Sequence, residues 1–142
     1  MIGLVTTDQV PSAEFVEAFQ QAFRTSGSSV EVELVGALDG LSMDEIDSLA
    51  ARPSPYPIQT ILADGTTRDI DRSSLAPLLD KRSHEMVERG ASVIAICCAG
   101  DFPEISCGVP VLFLGRLLSG IAGAVAATRR IGVVSPIASQ ME

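Results

Sequence analysis

The sequence predicts an α/β fold of three layers, in which helices cover both faces of a small, mainly parallel, flavodoxin-like sheet and a β-hairpin branches from it. Short apolar segments rich in Val and Ile, typical of strands buried on both faces, alternate with segments of helical periodicity. Asp64-Gly65 separates two strand-like segments and predicts a hairpin turn. A length of 142 residues, 46% of them hydrophobic, is enough to form one buried core.

The first part of the chain predicts two strands and two helices. Residues 2–6 form an apolar strand, and residues 11–23 carry apolar side chains at helical spacing. Residues 30–35 alternate between apolar and charged side chains, which favours a strand nearer the sheet edge. Ser42, with Glu45 three residues later, predicts a capping box at the start of a short helix.

The middle of the chain predicts the hairpin and a long helix. Residues 58–62 and 66–70 form the hairpin strands, joined by a two-residue turn. Ser73 or Ser74 then caps a helix that ends at Gly90, which is suited to a left-handed conformation.

The most hydrophobic segment, residues 109–128, is too short to cross a membrane once Arg116 interrupts it, since a spanning helix needs about 20 apolar residues. We therefore expect a buried strand over residues 110–114 and a helix over residues 117–128. The helix is rich in small residues and apolar all round, so it must be covered on more than one side.

The end of the chain repeats its beginning. Residues 131–136 have the character of residues 2–7, which predicts a first lobe over residues 1–129 and the first strand of a second, truncated lobe over residues 130–142. A chance recurrence of a common strand motif is the alternative. Without a second lobe, the helix over residues 117–128 would be exposed, so we expect a homo-oligomer.

Composition and charge limit the partners. The net charge of −8 and the pI of about 4.5 argue against a nucleic-acid partner, because polyanions would be repelled. Three cysteines, two of them adjacent, do not make a disulfide framework, and the N-terminus lacks the features of a signal peptide. We therefore expect a cytoplasmic protein without a membrane anchor.

Several common site motifs are absent from the sequence. It has no Gly-x-Gly-x-x-Gly, no phosphate-binding Gly-x4-Gly-Lys-Ser/Thr and no Gly-x-Ser-x-Gly, so we expect neither a nucleotide cofactor nor a hydrolase serine. His84 lies in a charged helical segment and is expected on the surface. A metal site through Cys97, Cys98 and Cys107 has poor geometry, because adjacent residues of a strand point to opposite sides.

Cys98 is the strongest candidate for chemistry. The apolar segment from Val93 delivers it to the point where Gly100 breaks the strand pattern, and ligands of open α/β sheets bind outside the carboxyl ends of the strands. A structural role is the alternative, since buried cysteines commonly serve as small hydrophobic residues. Arg116, just beyond the next strand, could hold a carboxylate, or could simply be solvated.

The sequence resembles the AroM family over essentially its whole length. The resemblance is carried by MIGLVTTDQVP, the ALDGLS loop, the hairpin with its Asp-Gly turn, VIAICCAGDFPEI, VPVLFLGRLL and RIGVVSP. The family is grouped with the aspartate/glutamate racemase superfamily, so the resemblance implies two similar lobes with a ligand between them, and a protein longer than this chain.

The resemblance also implies a set of site residues. Cys98 matches the first-lobe cysteine of the racemases, and Ala99 stands where they have a substrate-binding asparagine. Thr6 and Thr7 match a loop that contacts substrate, and Gly100 lets the backbone approach an anion. Ser135, at the corresponding point of the repeat, joins Arg116 in the expected substrate-binding set.

Two functions are therefore kept open. The first is a cofactor-independent, cysteine-dependent racemase, isomerase or decarboxylase acting on a small carboxylic acid, with Cys98 as acid or base. Racemisation needs a second base across the substrate, and neither Cys97, on the opposite side of the strand, nor Cys107, in a loop, is well placed. The second function is a non-catalytic module of the same fold that binds a small metabolite.

Overall fold

The computed structural model describes residues 1–9, 13–27, 29–127 and 130–132. The strands and helices within this part of the chain are β1 (Ile2–Thr6), α1 (Ala13–Thr25), β2 (Val32–Gly36), α2 (Met43–Ala50), β3 (Pro57–Ile61), β4 (Thr67–Asp71), α3 (Arg72–Glu88), β5 (Val93–Ile96), β6 (Val111–Phe113) and α4 (Leu114–Ala126).

The main sheet has four parallel strands in the order β2-β1-β5-β6. Leu4 in the middle of β1 lies opposite Leu34 of β2 and Ala95 of β5. The chain adds β2 on one side of β1 and then returns to add β5 on the other, which is the flavodoxin-like order that the sequence predicts. The switch in direction places the carboxyl ends of β1 and β5 side by side.

Helices cover both faces of this sheet, as predicted. On one face, Phe19 and Phe23 of α1 pack against a cluster formed by Leu4, Val32 and Ala95. The opposite face contributes Val5, Val35, Ile94 and Ile96 to a larger core, which also contains Leu75, Leu79 and Met86 of α3, Ile46 of α2, and Ile58 and Ile70 of the hairpin. The core therefore lies mainly between the sheet and the layer that contains α3 and the hairpin.

The β3-β4 hairpin is confirmed, but its two-residue turn is wrong. The backbone N–H of Leu62 donates to the carbonyl of Thr66, and the N–H of Gly65 donates back to Leu62, so three residues make the turn. Gly65 has a φ of 81°, the left-handed conformation that closes a three-residue loop. Asp64 supports the turn by accepting from both the N–H and the hydroxyl of Thr66.

Two helices begin earlier than the sequence predicts. Asp71, the last residue of β4, caps α3, because its carboxylate accepts from the N–H of Ser73. Neither Ser73 nor Ser74 is the cap. β6 ends at Phe113, so α4 begins at Leu114 rather than at residue 117. The capping box of Ser42 and Glu45 at α2 is confirmed.

The predicted second lobe lies almost entirely outside the described residues. Residues 130–132 are described, and residues 133–142 are not, so the division at residue 130 stays a prediction. Among the described helices, none is both long enough and apolar enough to cross a membrane.

Candidate functional site

The candidate site lies at the carboxyl-end edge of the parallel sheet, beside the switch point between β1 and β5. Thr6 ends β1 and Thr7 follows it, Cys97 and Cys98 follow β5, and Gly115 lies at the start of α4, just after β6. The structure therefore brings together, at one edge, the strand ends that carry most of the predicted site residues. Ser135 lies outside the described part of the chain.

Cys98 is half-buried on the side of the sheet that carries the larger core. Its sulfur accepts a hydrogen bond from the backbone N–H of Gly100 at 3.4 Å and another from the hydroxyl of Thr7. Burial raises the pKa of the Cys98 thiol and the charge of Asp8 raises it further, while the two hydrogen bonds act in the opposite direction. The balance keeps the sulfur protonated at neutral pH.

Cys97 lies on the opposite face of the sheet. It packs against the cluster of Leu4 and Ala95, and its N–H continues the strand ladder by donating to the carbonyl of Val5 at 2.8 Å. Burial raises the pKa of the Cys97 thiol to about 12. Cys107 is buried in the larger core, with 7% of its surface exposed.

Thr6 and Thr7 are both buried, and their hydroxyls are already engaged. The Thr6 hydroxyl donates to the carboxylate of Asp8 at 2.6 Å, and the Thr7 hydroxyl contacts the sulfur of Cys98. The Thr7 hydroxyl therefore contacts Cys98, the candidate acid or base, and the Thr6 hydroxyl binds the neighbouring carboxylate of Asp8.

Asp8 is a site residue that the sequence reasoning missed. Its carboxylate accepts from the backbone N–H of Ile61 at 2.8 Å as well as from Thr6, and its charge acts on Cys98. The N–H of Gln9 donates to the carbonyl of Ile61 at 2.9 Å. These bonds attach the hairpin to the end of β1. The sequence signal that could have identified Asp8 is its position as a polar residue just after the buried strand β1.

The hairpin in turn forms one apolar wall of the site. A side-chain carbon built on Gly100 would lie 3.1 Å from Ile58 of β3 and 3.1 Å from Phe102, so a larger residue would have to displace these side chains by a few tenths of an ångström. Gly100 is buried, and Ala99 before it is exposed. Gly100 therefore packs against the hairpin and Phe102, and its approach to an anion stays a prediction.

The backbone of Cys98 and Ala99 also lies close to the start of α4. The N–H of Gly115 donates to the carbonyl of Cys98 at 3.2 Å, and a side-chain carbon on Gly115 would come within 2.5 Å of the Ala99 carbonyl oxygen. Only glycine permits this contact. An open cleft of about 340 Å³ lies beside it, lined by Ala99, Asp101, Gly115, Arg116 and Ser119.

Arg116 faces this cleft with its guanidinium already occupied. It forms ion pairs with the carboxylates of Asp101, at 3.1 Å, and Glu104, and it donates to the carbonyl of Phe102 at 2.6 Å. The hydrogen bonds to Glu104 and Asp101 raise the pKa of the guanidinium. A substrate carboxylate would have to compete with two carboxylates of the chain for this arginine.

A metal ion finds few ligands here. No group of three His, Cys, Asp or Glu side chains that could hold one occurs among residues 1–9, 13–27, 29–127 and 130–132. His84 is exposed on α3, where its Nδ1 lies 2.9 Å from the carbonyl of Asp80. The described site consists of a thiol, hydroxyls, backbone N–H groups and an apolar wall.

Comparison with known proteins assigns the chain to a family. The family model described as AroM protein matches residues 2–142. No curated protein and no solved structure matches the chain. Since the match spans nearly every residue, the chain belongs to the AroM family.

Proposed function

We propose that the chain forms one wall of the active site of a cofactor-independent enzyme that acts on a small carboxylic acid, with Cys98 as its proton donor. The reaction class is racemisation, isomerisation or decarboxylation. In each of these, a carbanion forms next to a carboxyl or carbonyl group and must receive a proton.

The observation that carries the proposal is a half-buried thiol, that of Cys98, at the switch point of a parallel sheet. Ligands of such sheets bind at this point. Because burial and Asp8 both favour the neutral form of Cys98, the thiol is suited to give a proton rather than to take one. The N–H of Gly100 and the hydroxyl of Thr7 then stabilise the thiolate that remains.

The cleft beside the loop that follows Cys98 has room for a small substrate. Ile58 and Phe102 close one side of the Gly100 backbone, and the cleft beside Ala99 holds about 340 Å³. Backbone N–H groups of a loop and a helix start are the donors that carboxylates accept from in proteins. A compact 2-substituted carboxylic acid matches this combination of size and polarity.

The second acid/base group of a racemase must come from elsewhere. Cys97 lies on the other face of the sheet and Cys107 lies in the core. We propose that a second lobe beginning within residues 130–142 supplies the facing wall. A decarboxylase needs no such partner, because loss of CO2 leaves its bonding electrons on the carbon, and that carbon then takes one proton from Cys98.

The experiment compares two single-atom changes in the full-length protein. Cys98→Ser and its neighbour Cys97→Ser are assayed for turnover of lactate, malate, aspartate and methylmalonate, followed by loss of substrate or of optical rotation. We expect Cys98→Ser to lower turnover by about 100-fold or more, because it removes a positioned acid. Cys97→Ser should leave turnover within about twofold of wild type. Equal turnover in both variants would remove Cys98 from the mechanism.

A ligand-binding module without catalysis is the second candidate, and Asp8 favours it. A carboxylate that acts against ionisation of the Cys98 thiol is compatible with a cysteine that has no catalytic role. In that case the same acids raise the melting temperature of the wild-type protein and of Cys98→Ser alike, with no turnover in either.

A further inference from the structure

The loop after Cys98 must be held in place by side chains. Residues 101–106 contain neither helix nor strand, yet the loop begins with Gly100, whose N–H donates to the Cys98 sulfur. The ring of Phe102 anchors the loop in the core, with 2% of its surface exposed. Pro103 follows and has no N–H to donate.

Arg116, in the first turn of α4, spans this loop with one guanidinium. Its Nη2 donates to the carbonyl of Phe102 at 2.6 Å, its Nε lies 3.1 Å from the Asp101 carboxylate, and its Nη1 pairs with Glu104. The guanidinium carbon also lies 4.4 Å from the centre of the Phe113 ring. The planar fork of arginine can serve acceptors in several directions at once, whereas a lysine ammonium cannot reproduce that geometry.

Arg72, at the start of α3, holds the same loop from a second element. Its Nη1 donates to the carbonyl of Asp101 at 2.9 Å, and its guanidinium carbon lies 4.8 Å from the centre of the Tyr56 ring. Asp101 is therefore held through its carbonyl by Arg72 and through its carboxylate by Arg116.

We propose that Arg116 and Arg72 are positioning residues that fix the 100–104 loop and so keep the Gly100 N–H against the Cys98 sulfur. This role rests on the proposed function only in treating Cys98 as the reactive group. It differs from the substrate-carboxylate role that the sequence suggests for Arg116, because the acceptors it serves belong to the loop itself.

The test replaces Arg116 by lysine, which keeps the positive charge and removes the fork. Arg89→Lys is the matched control, since Arg89 pairs with Glu33 at 2.9 Å on a surface away from the loop. We expect amide hydrogen exchange at Gly100, whose N–H donates to the Cys98 sulfur, to become about fivefold faster in Arg116→Lys and to stay unchanged in Arg89→Lys. Arg72→Lys, which loses one hydrogen bond to the loop, should show a smaller effect at the same amide.

A second readout follows the thiol itself. The rate of Cys98 alkylation by iodoacetamide, measured against pH, should have its midpoint at higher pH in Arg116→Lys, because the hydrogen bond from Gly100 favours the thiolate while the opposing charge of Asp8 is unchanged. If Arg116 only stabilised α4, the pH midpoint of Cys98 alkylation would be the same in Arg116→Lys as in wild type.

The outcomes separate this proposal from the proposed function. If exchange at Gly100 and the alkylation midpoint in Arg116→Lys both match wild type, the positioning role is wrong, whatever the turnover. If both change but Cys98→Ser retains turnover, the positioning role stands and the catalytic role of Cys98 falls. Neither measurement requires a known substrate.

Discussion

Cys97 and Cys98 are adjacent in the chain, yet their side chains pack against opposite faces of the sheet. The alternation of β5 continues through both residues, so Cys97 joins the cluster of Leu4 and Ala95, and Cys98 joins the larger core beside the hairpin. One thiol therefore reaches the candidate site, and the other serves as packing for α1.

Because the two thiols lie on opposite faces of the sheet, we expect alkylation of the folded protein to be selective. With a pKa of about 12, Cys97 has about a thousandth of the thiolate of an ordinary cysteine at pH 8. We expect iodoacetamide to modify Cys98 before Cys97, and both to react at similar rates in urea. Peptide mass spectrometry after timed labelling measures the order, and faster labelling of Cys97 in the folded state would contradict it.

Asp8 should restrain the reactivity of Cys98. Asp8→Asn removes the charge that opposes ionisation of the thiol but keeps an oxygen to accept from the N–H of Ile61. We expect the pKa of Cys98 to fall and its alkylation rate at pH 8 to rise about two- to fivefold. Asp44→Asn, in the first turn of α2, makes the same change in net charge and should leave the rate as in wild type.

Hydrophobic periodicity, together with the residues that cap helices and form turns, was sufficient to predict most of the fold. The apolar strands, the capping box at Ser42 and the hairpin around Asp64-Gly65 each follow from a local pattern. The cap of α3 does not, because Asp71 takes that role only once β4 runs directly into the helix and brings the carboxylate to the N–H of Ser73.

The candidate site was predictable only in outline. Cys98 follows from its place at a strand end, but the role of Asp8 depends on the hairpin, which returns to β1 and offers the N–H of Ile61. Likewise, a sequence cannot show that Asp101 and Glu104 fold back onto Arg116. Interactions between distant segments decide which polar groups remain available to a ligand.

Asp71 should contribute stability that disappears in acid. Hydrogen bonds from the hydroxyl and N–H of Ser73 hold the pKa of its carboxyl at about 2, and Ser54 and the N–H of Tyr56 also donate to it. Because the pKa of Asp71 is lower in the folded state, the ionised carboxylate stabilises the fold at pH values above its ordinary pKa near 3.8. That contribution to the free energy of unfolding is lost as the pH falls toward 2.

Urea unfolding of Asp71→Ala measures this contribution. At pH 7 we expect the variant to be about 1–2 kcal/mol less stable than wild type, as for loss of a helix cap. The difference should shrink between pH 4 and pH 2. A difference that stays constant across this range would show that the carboxylate charge is not what stabilises the cap.

The outer face of α4 should drive self-association. Leu118, Ile121 and Val125 lie on one side of the helix and are 61%, 61% and 78% exposed. We propose that, where no second lobe covers it, this apolar face packs against a second copy of the chain. Light scattering should show a mass that rises with concentration for wild type, and a monomer for Ile121→Glu.

Ile61→Glu provides the control for that experiment. Ile61 is 54% exposed on the hairpin, so the change removes an exposed apolar residue outside α4 and should leave the association intact. A wild-type mass of one chain at every concentration would contradict the proposed interface.

Incorporation of solvent deuterium tests the central claim most directly. The full-length protein is incubated in D2O with lactate, malate, aspartate or methylmalonate, and NMR follows the hydrogen on the carbon next to the carboxylate. If Cys98 delivers the proton, deuterium enters that position of at least one acid or its product with wild type and Cys97→Ser, and does not with Cys98→Ser. Incorporation at the wild-type rate by Cys98→Ser would contradict the account.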